Sequence, residues 1–171
     1  MSRIASSNRD VALSGLRRRW LPIVSILLAG LLHLVPIVFQ GAYLPDFAFL
    51  VLVSWRLLRP EMWTASMALP LGLYNDLVAG HPLGESMALW TILFLLFDLL
   101  DTRVSWRDYW MDWLFASLAI LFYTSADWLV ARAMGSSAHI STMGPQMLVS
   151  VFAFPLVARF VLVLDRWRLS R

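Results

Sequence analysis

The chain has 171 residues, 60% of them hydrophobic and 15% charged, with a mean hydropathy of +0.69. A soluble domain runs nearer half apolar and a quarter charged, so this composition describes an all-α integral membrane protein, with room for about six spans of ~20 residues and for no soluble domain. Cysteine is absent, which excludes disulfides and thiolate metal sites, and the net charge of +3, carried by 14 arginines and no lysine, reports topology in a membrane protein and not nucleic acid.

Residues 1–19 form a polar stub with Arg3, Arg9, Arg17, Arg18 and Arg19. The apolar run that follows is too long for the core of a signal peptide and lacks a small-residue cleavage site. It reads as an uncleaved first span, about 20–39. Pro22 suits its first turn, and Pro36 is expected to kink or end it. His33, near its far end, reads as a hydrogen-bonded packing residue and not as a proton relay. Pro45-Asp46 opens a second span, about 45–58, roughly 21 Å long. So short a span must thin the bilayer, be shielded by neighbours or be partly re-entrant. Asp46 in its first turn suits the helix dipole. Arg56, Arg59, Pro60 and Glu61 form a tight turn into a third span, about 62–78. Thr64, Ala68 and Gly72 recur every four residues and share one face, of the small-residue kind that lets helices approach closely.

The third span ends on Gly72-Leu73-Tyr74-Asn75-Asp76, and a turn carrying Gly80, His81, Pro82 and Gly84 follows. Asp76 faces the negative pole of its own helix, so it is not there to stabilise that helix. An ionisable group so close to lipid needs a partner. Two readings stand side by side. Asn75 and Asp76 close the span by bonding local backbone. Alternatively Asp46 and Asp76, at the same ends of adjacent spans, frame a polar recess for a partner helix, a small ligand or a water cluster.

The fourth span is expected at about 83–100, with Glu85 in its first turn and Asp98 in its last. A charged loop at 101–108 leads to a fifth span, about 110–131, with Asp112 in its first turn and Asp127 and Arg132 near its far end. Residues 134–145 form the longest outer loop. The sixth span, about 146–164, is interrupted by Pro155 and Arg159, and 165–171 is a charged tail. Asp98 and Arg159 are a candidate intramembrane ion pair between spans four and six, the plainer alternative being that Arg159 snorkels to the interface unaided.

Six spans put both termini on one side. All the arginines except Arg132 and Arg159 then fall on that side, and so do all the tryptophans except Trp90 and Trp128. The positive-inside rule and the aromatic belt therefore agree on cytoplasmic termini. Catalysis is not expected. His33, His81 and His139 show no His-x-x-x-His or Glu-x-x-His spacing, and no Gly-rich phosphate loop occurs. A metal site from His81 and His139 is conceivable, but loop histidines are more often plain surface groups, and no metal or cofactor is expected.

Residues 45–84 resemble the signature region of the MreD family of bacterial rod shape-determining membrane proteins. Pro45-Asp46, Arg59-Pro60-Glu61, Gly72-x-x-Asn75-Asp76 and Gly80-x-Pro82-x-Gly84 carry the resemblance, joined to the right spans in the right order. Beyond residue 100 only hydropathy is shared. The resemblance implies a six-helix bundle similar in fold to the substrate-binding subunits of energy-coupling-factor vitamin transporters. It implies a non-catalytic component of the cell-elongation machinery in the bacterial inner membrane, organising peptidoglycan synthesis. The implied partners are an MreC-like single-span protein in direct contact and, within the same complex, MreB, RodA and a penicillin-binding transpeptidase. It places Asp46, Gly72, Asn75, Asp76, Gly80, Pro82 and Gly84 in the characteristic motif. The rival reading is a small-molecule-binding membrane subunit of a transporter.

Overall fold

The computed structural model describes residues 20–34, 44–103, 108–136 and 143–169. Among the described residues, helix is the only regular secondary structure. Helix α1 covers Trp20–Leu34 and finishes in a 3-10 turn, Leu31–Leu34. Then come α2 (Phe47–Leu58), a 3-10 turn at Pro60–Met62, α3 (Ala65–Ala79), α4 (Glu85–Arg103), α5 (Tyr109–Ala133) and α6 (Met143–Leu169). Helices α5 and α6 are long and apolar enough to cross a membrane, and α1 and α2 are shorter apolar helices. The expected kink at Pro36, both termini and His139 lie outside the described residues.

Helix α2 is the centre of the packing. Its 12 residues span about 18 Å, and every residue from Ala48 to Leu57 is buried. Neighbouring helices shield this short segment along its length. Phe49 stacks on Tyr123 of α5 at 4.3 Å and tilts against Trp90 of α4 at 6.2 Å. Trp55 donates its indole N–H to Ser25 Oγ of α1 at 2.9 Å. Around this axis the outward surfaces are apolar and exposed. On α6 they include Leu148, Phe152, Leu156, Phe160 and Val163. An all-round apolar exterior over a buried helix suits lipid and not water.

Helices α3 and α4 form a tight hairpin. A Cβ at Gly72 would stand 2.5 Å from the Cα of Met87 and 2.6 Å from its N, so only glycine permits this approach. Ala68, one turn earlier, is fully buried, whereas Thr64 is the exposed N-cap of α3. Gly80 closes α3 in the left-handed conformation, φ 75°, and its N–H reaches the Asp76 carbonyl at 3.1 Å.

Helix α6 runs unbroken through Pro155, where an interruption was expected. A proline inside a helix leaves the carbonyl four residues earlier without its usual donor. That carbonyl belongs to Val151, and the Trp113 indole N–H of α5 reaches it at 3.3 Å. The freed acceptor is satisfied from a neighbouring helix, as a membrane interior demands.

Two outcomes test this packing. Gly72→Leu should separate α3 from α4 and lower the detergent-solubilised protein's stability by more than the ~1–3 kcal/mol of ordinary overpacking. Gly144→Ala, where an added Cβ meets nothing within 4 Å, should leave the melting temperature unchanged. Trp113→Phe should cost about 1–3 kcal/mol by stranding the Val151 carbonyl. In a Pro155→Ala background that cost should shrink, and a double-mutant cycle read by thermal unfolding measures the difference.

Candidate functional site

The polar residues gather at the two ends of α2. At its N-terminal end, Asp46 is the N-cap, and its Oδ1 accepts the Phe49 N–H at 2.9 Å. Its Oδ2 accepts the Asn75 side-chain amide at 3.0 Å and the Tyr123 hydroxyl at 3.1 Å. One carboxylate thus ties α2, α3 and α5. The Asn75 amide also donates to Ser86 Oγ at 3.2 Å, and that oxygen lies 3.3 Å from the Tyr123 hydroxyl. His81 Nδ1 stands 3.4 Å from Ser86 Oγ.

Asp76 is buried, and both its carboxylate oxygens are spent on backbone. Oδ2 accepts the Gly84 N–H at 2.8 Å and Oδ1 the Ser86 N–H at 2.7 Å. These N–H groups open α4. The acid that faces the wrong pole of its own helix therefore caps the positive pole of the next one. Gly80 and Gly84 serve the turn through positive φ, 75° and 97°, and the Pro82 carbonyl accepts the Glu85 N–H at 3.1 Å. Glu85 is itself buried and faces Asp127 of α5.

Between α2, α5 and α6 lies a recess of ≈ 20 Å³, lined on its polar side by Asp46, Tyr123, Thr124, Asp127, Gln146 and Ser150. That is room for about one water molecule. The structure joins Asp46 to Asn75 directly and to Asp76 through Ser86 and the α3–α4 turn, but Asp76 does not line this recess.

The opposite end of α2 carries cations. Arg56, 1% exposed, reaches Asp98 at 2.5 Å and Asp101 at 2.8 Å, both on α4. Its guanidinium also lies over the rings of Phe94 and Phe97. Arg59, the C-cap of α2, donates through Nε and Nη2 to Asp165 Oδ2 of α6, at 3.1 and 2.7 Å. This hydrogen bonding raises the Arg59 pKa above its ordinary value. Arg168 grips the other oxygen of Asp165 at 3.1 and 2.6 Å and lies over the Trp55 ring. The candidate Asp98–Arg159 pair does not form. Asp98 is taken by Arg56, and Arg159 is exposed on α6. The reason is proximity: α2 is the buried neighbour of α4, and its last turn delivers a cation to the last turn of α4.

Sequence reasoning missed Ser86, Tyr123, Arg56 as a buried group, and the Arg59–Asp165–Arg168 cluster. One signal was available. Asp165 and Arg168 stand three residues apart and so share a helix face. No local pattern, however, links Tyr123 to Asp46 across 77 positions.

Described residues that are all-helical, with an apolar sheath and polar groups drawn to two ends, are those of a membrane-type helical protein. The sequence model of a family described as rod shape-determining protein MreD matches residues 16–166, nearly the whole chain. The chain belongs to that family of bacterial cell-envelope membrane proteins, which act in rod shape determination. No curated protein and no solved structure matches it.

The ion pairs at the arginine end differ in burial, so their loss should differ too. Asp165→Ala removes the buried carboxylate that Arg59 and Arg168, 5% exposed, both grip, and should cost about 3–5 kcal/mol. Asp98→Ala removes a half-exposed partner and leaves buried Arg56 its second carboxylate, Asp101, so it should cost less than Asp165→Ala. Thermal unfolding of the two variants in one detergent ranks them.

Proposed function

We propose that this chain is a non-catalytic inner-membrane component of the rod-shape and cell-wall elongation complex. It docks an MreC-like single-span protein within the membrane plane, and through it joins MreB, RodA and a penicillin-binding transpeptidase. The observation that carries this reading is the family match over residues 16–166. All six helices are taken as spans, the arginine end facing the cytoplasm. The alternating direction of the helices supports this, since Asp46, Asp76 and Ser86 meet at one end and Arg56, Asp98 and Asp165 at the other.

In this reading Asp46, Asn75 and Asp76 hold the shape of the bundle and do not touch the partner. Asp46 bonds Asn75, Tyr123 and the Phe49 N–H, the Asn75 amide also bonds Ser86, and Asp76 bonds the backbone N–H groups that open α4. A docking role for Asp76 itself would need a carboxylate that a partner can reach, and this one is 1% exposed with both oxygens on backbone N–H groups. The Ala68–Gly72 face is likewise occupied by α4, so the partner contact falls on other apolar surfaces. The rival reading of a small-molecule transport subunit needs a pocket of roughly 300–1,000 Å³ with convergent polar groups. The polar recess here is ≈ 20 Å³.

The test is rod-shape complementation in cells lacking their own copy, combined with co-purification of the tagged chain and the single-span partner in mild detergent. Wild type should restore rods and retain the partner. Asp76→Ala should lower thermal stability by about 1–2 kcal/mol through the lost cap and weaken partner recovery only in proportion to folded protein. A fully stable Asp76→Ala protein that no longer binds the partner would overturn the shape-holding role. Failure of wild type to restore rods or bind the partner would overturn the function.

A further inference from the structure

The two ends of α2 answer their charges differently. At the arginine end, each arginine of α2 meets a carboxylate of another helix. At the other end Asp46, Asp76, Glu85 and Asp127 lie together, and among the described residues no salt bridge reaches any of them. Arg132, on the same helix as Asp127, lies over the Trp128 ring at 5.3 Å. Asp76 is answered by the N-terminus of α4. Asp46 bonds the Phe49 N–H, Asn75 and Tyr123, all of them neutral. Glu85 is hydrogen-bonded to Asp127. A bond between two carboxyls takes up one proton, so this pair carries one further negative charge. Charge held inside a membrane bundle calls for a counter-charge. The recess of ≈ 20 Å³ lies between these charges, with Asp46 and Asp127 both on its wall.

The hydrogens around the recess are already committed. Tyr123 donates its hydroxyl to Asp46 at 3.1 Å, Thr124 to the Ile120 carbonyl at 2.8 Å and Ser150 to the Gln146 carbonyl at 2.7 Å. The Gln146 side-chain amide reaches the Leu44 carbonyl at 3.4 Å. What these side chains have left is oxygen lone pairs. Two oxygens of the same cluster have no donor at all. Asn75 Oδ1 belongs to a fully buried residue bonded to Asp46, and Glu85 Oε1 to a residue 8% exposed and bonded to Asp127. One water molecule brings two hydrogens and no charge. A cation meets both the surplus of oxygen and the surplus of charge.

The oxygens select the ion. Carboxylate, hydroxyl and amide oxygens suit a hard cation. Among the described residues no three His, Asp or Glu side chains converge to hold a metal ion, which speaks against a divalent one. A monovalent ion needs no more charge than is present. Coulomb attraction to the two carboxylates grows as the ion shrinks, which favours sodium over potassium.

We propose that the recess between α2, α5 and α6 is a sodium-ion site, with Asp46 and Asp127 supplying charge and Tyr123, Thr124, Gln146 and Ser150 supplying neutral oxygens. The ion ties the start of α6 to α2 and α5, as Asp165 ties its other end to Arg59. This goes beyond the shape-determination reading. Failed complementation with an intact sodium effect overturns only that reading, and the reverse result overturns only this one.

The experiment follows thermal unfolding of the purified chain in mild detergent, with sodium, potassium or choline chloride at one ionic strength. At ~10 times its dissociation constant, sodium should raise the midpoint by about 3–6 °C over choline, and potassium by clearly less. Thr124→Val with Ser150→Ala removes two lining hydroxyls whose hydrogens serve their own helices. The fold should survive and the sodium increment should vanish. Should that variant fail to fold, binding of radiolabelled sodium decides. Wild type should hold one ion per chain, displaced by unlabelled sodium, and Asp127→Asn should hold none. Equal midpoints in the three salts mean that water alone fills the recess and overturn the proposal. A sodium increment that persists in the folded double variant, or radiolabel that persists in Asp127→Asn, puts the ion elsewhere and overturns it as well.

Discussion

The constraint on which the rest depends is the burial of both ends of α2. A helix of about 18 Å cannot reach both faces of a ~30 Å hydrocarbon layer. Its first N–H groups and last C=O groups therefore cannot all rely on water. The sequence answers with charges that match the helix dipole, Asp46 at the start and Arg56 with Arg59 at the finish. Each of these charges needs a counterpart on another helix. Asn75 and Tyr123 come to Asp46, Asp98 and Asp101 to Arg56, and Asp165 to Arg59. The positions of α3, α4, α5 and α6 follow from these ties. In lipid, where apolar faces gain little by leaving hydrocarbon, such contacts and close packing carry the specificity.

The same logic explains residues that look misplaced in sequence. Asp76 is unfavourable for α3 and favourable for α4, and the turn between them is short enough for one carboxylate to serve the second helix from the end of the first. Gly72 makes that possible, because the hairpin must be close before Asp76 can reach Ser86 N–H. Pro155 shows the converse. It removes a donor from α6, and Trp113 of α5 supplies one. A proline that would break an isolated helix here adds a link between two helices.

What was legible in sequence was what hydropathy and local chemistry control. Among the described residues, the order of the helices, the shortness of α2, the turn from Gly80 to Gly84, and the Ala68 and Gly72 part of the small face (Thr64 being the exposed N-cap) follow from composition and spacing. Helix ends shifted by a few residues, as with α6, which continues to Leu169 because Asp165 and Arg168 neutralise one another inside the bundle. Long-range pairing was not legible. Arg56 reads as one more interface arginine until α2 is known to be the buried helix, and only then does Asp98 acquire its true partner. Arg159 was a candidate for Asp98 on depth alone, beside the reading that it snorkels unaided. Depth says nothing of which side of α6 faces the core, and Arg159 lies on the outward side.

This economy of polar groups bears on how the molecule can act. At the carboxylate end, the hydrogen-bonding groups of Asp46 and Asp76 are turned inward and engaged. At the arginine end, Arg56 and Arg168 are almost wholly buried in their ion pairs. The long surfaces left for contact are apolar, and in lipid an apolar surface distinguishes partners by shape. Recognition within the membrane plane then requires a rigid contour, and rigidity here comes from the clamps on α2. On the proposed reading, an inner ion pair such as Arg59–Asp165 is as much a part of partner recognition as a residue on the surface, because loosening it alters the relief of α6 along its exposed length.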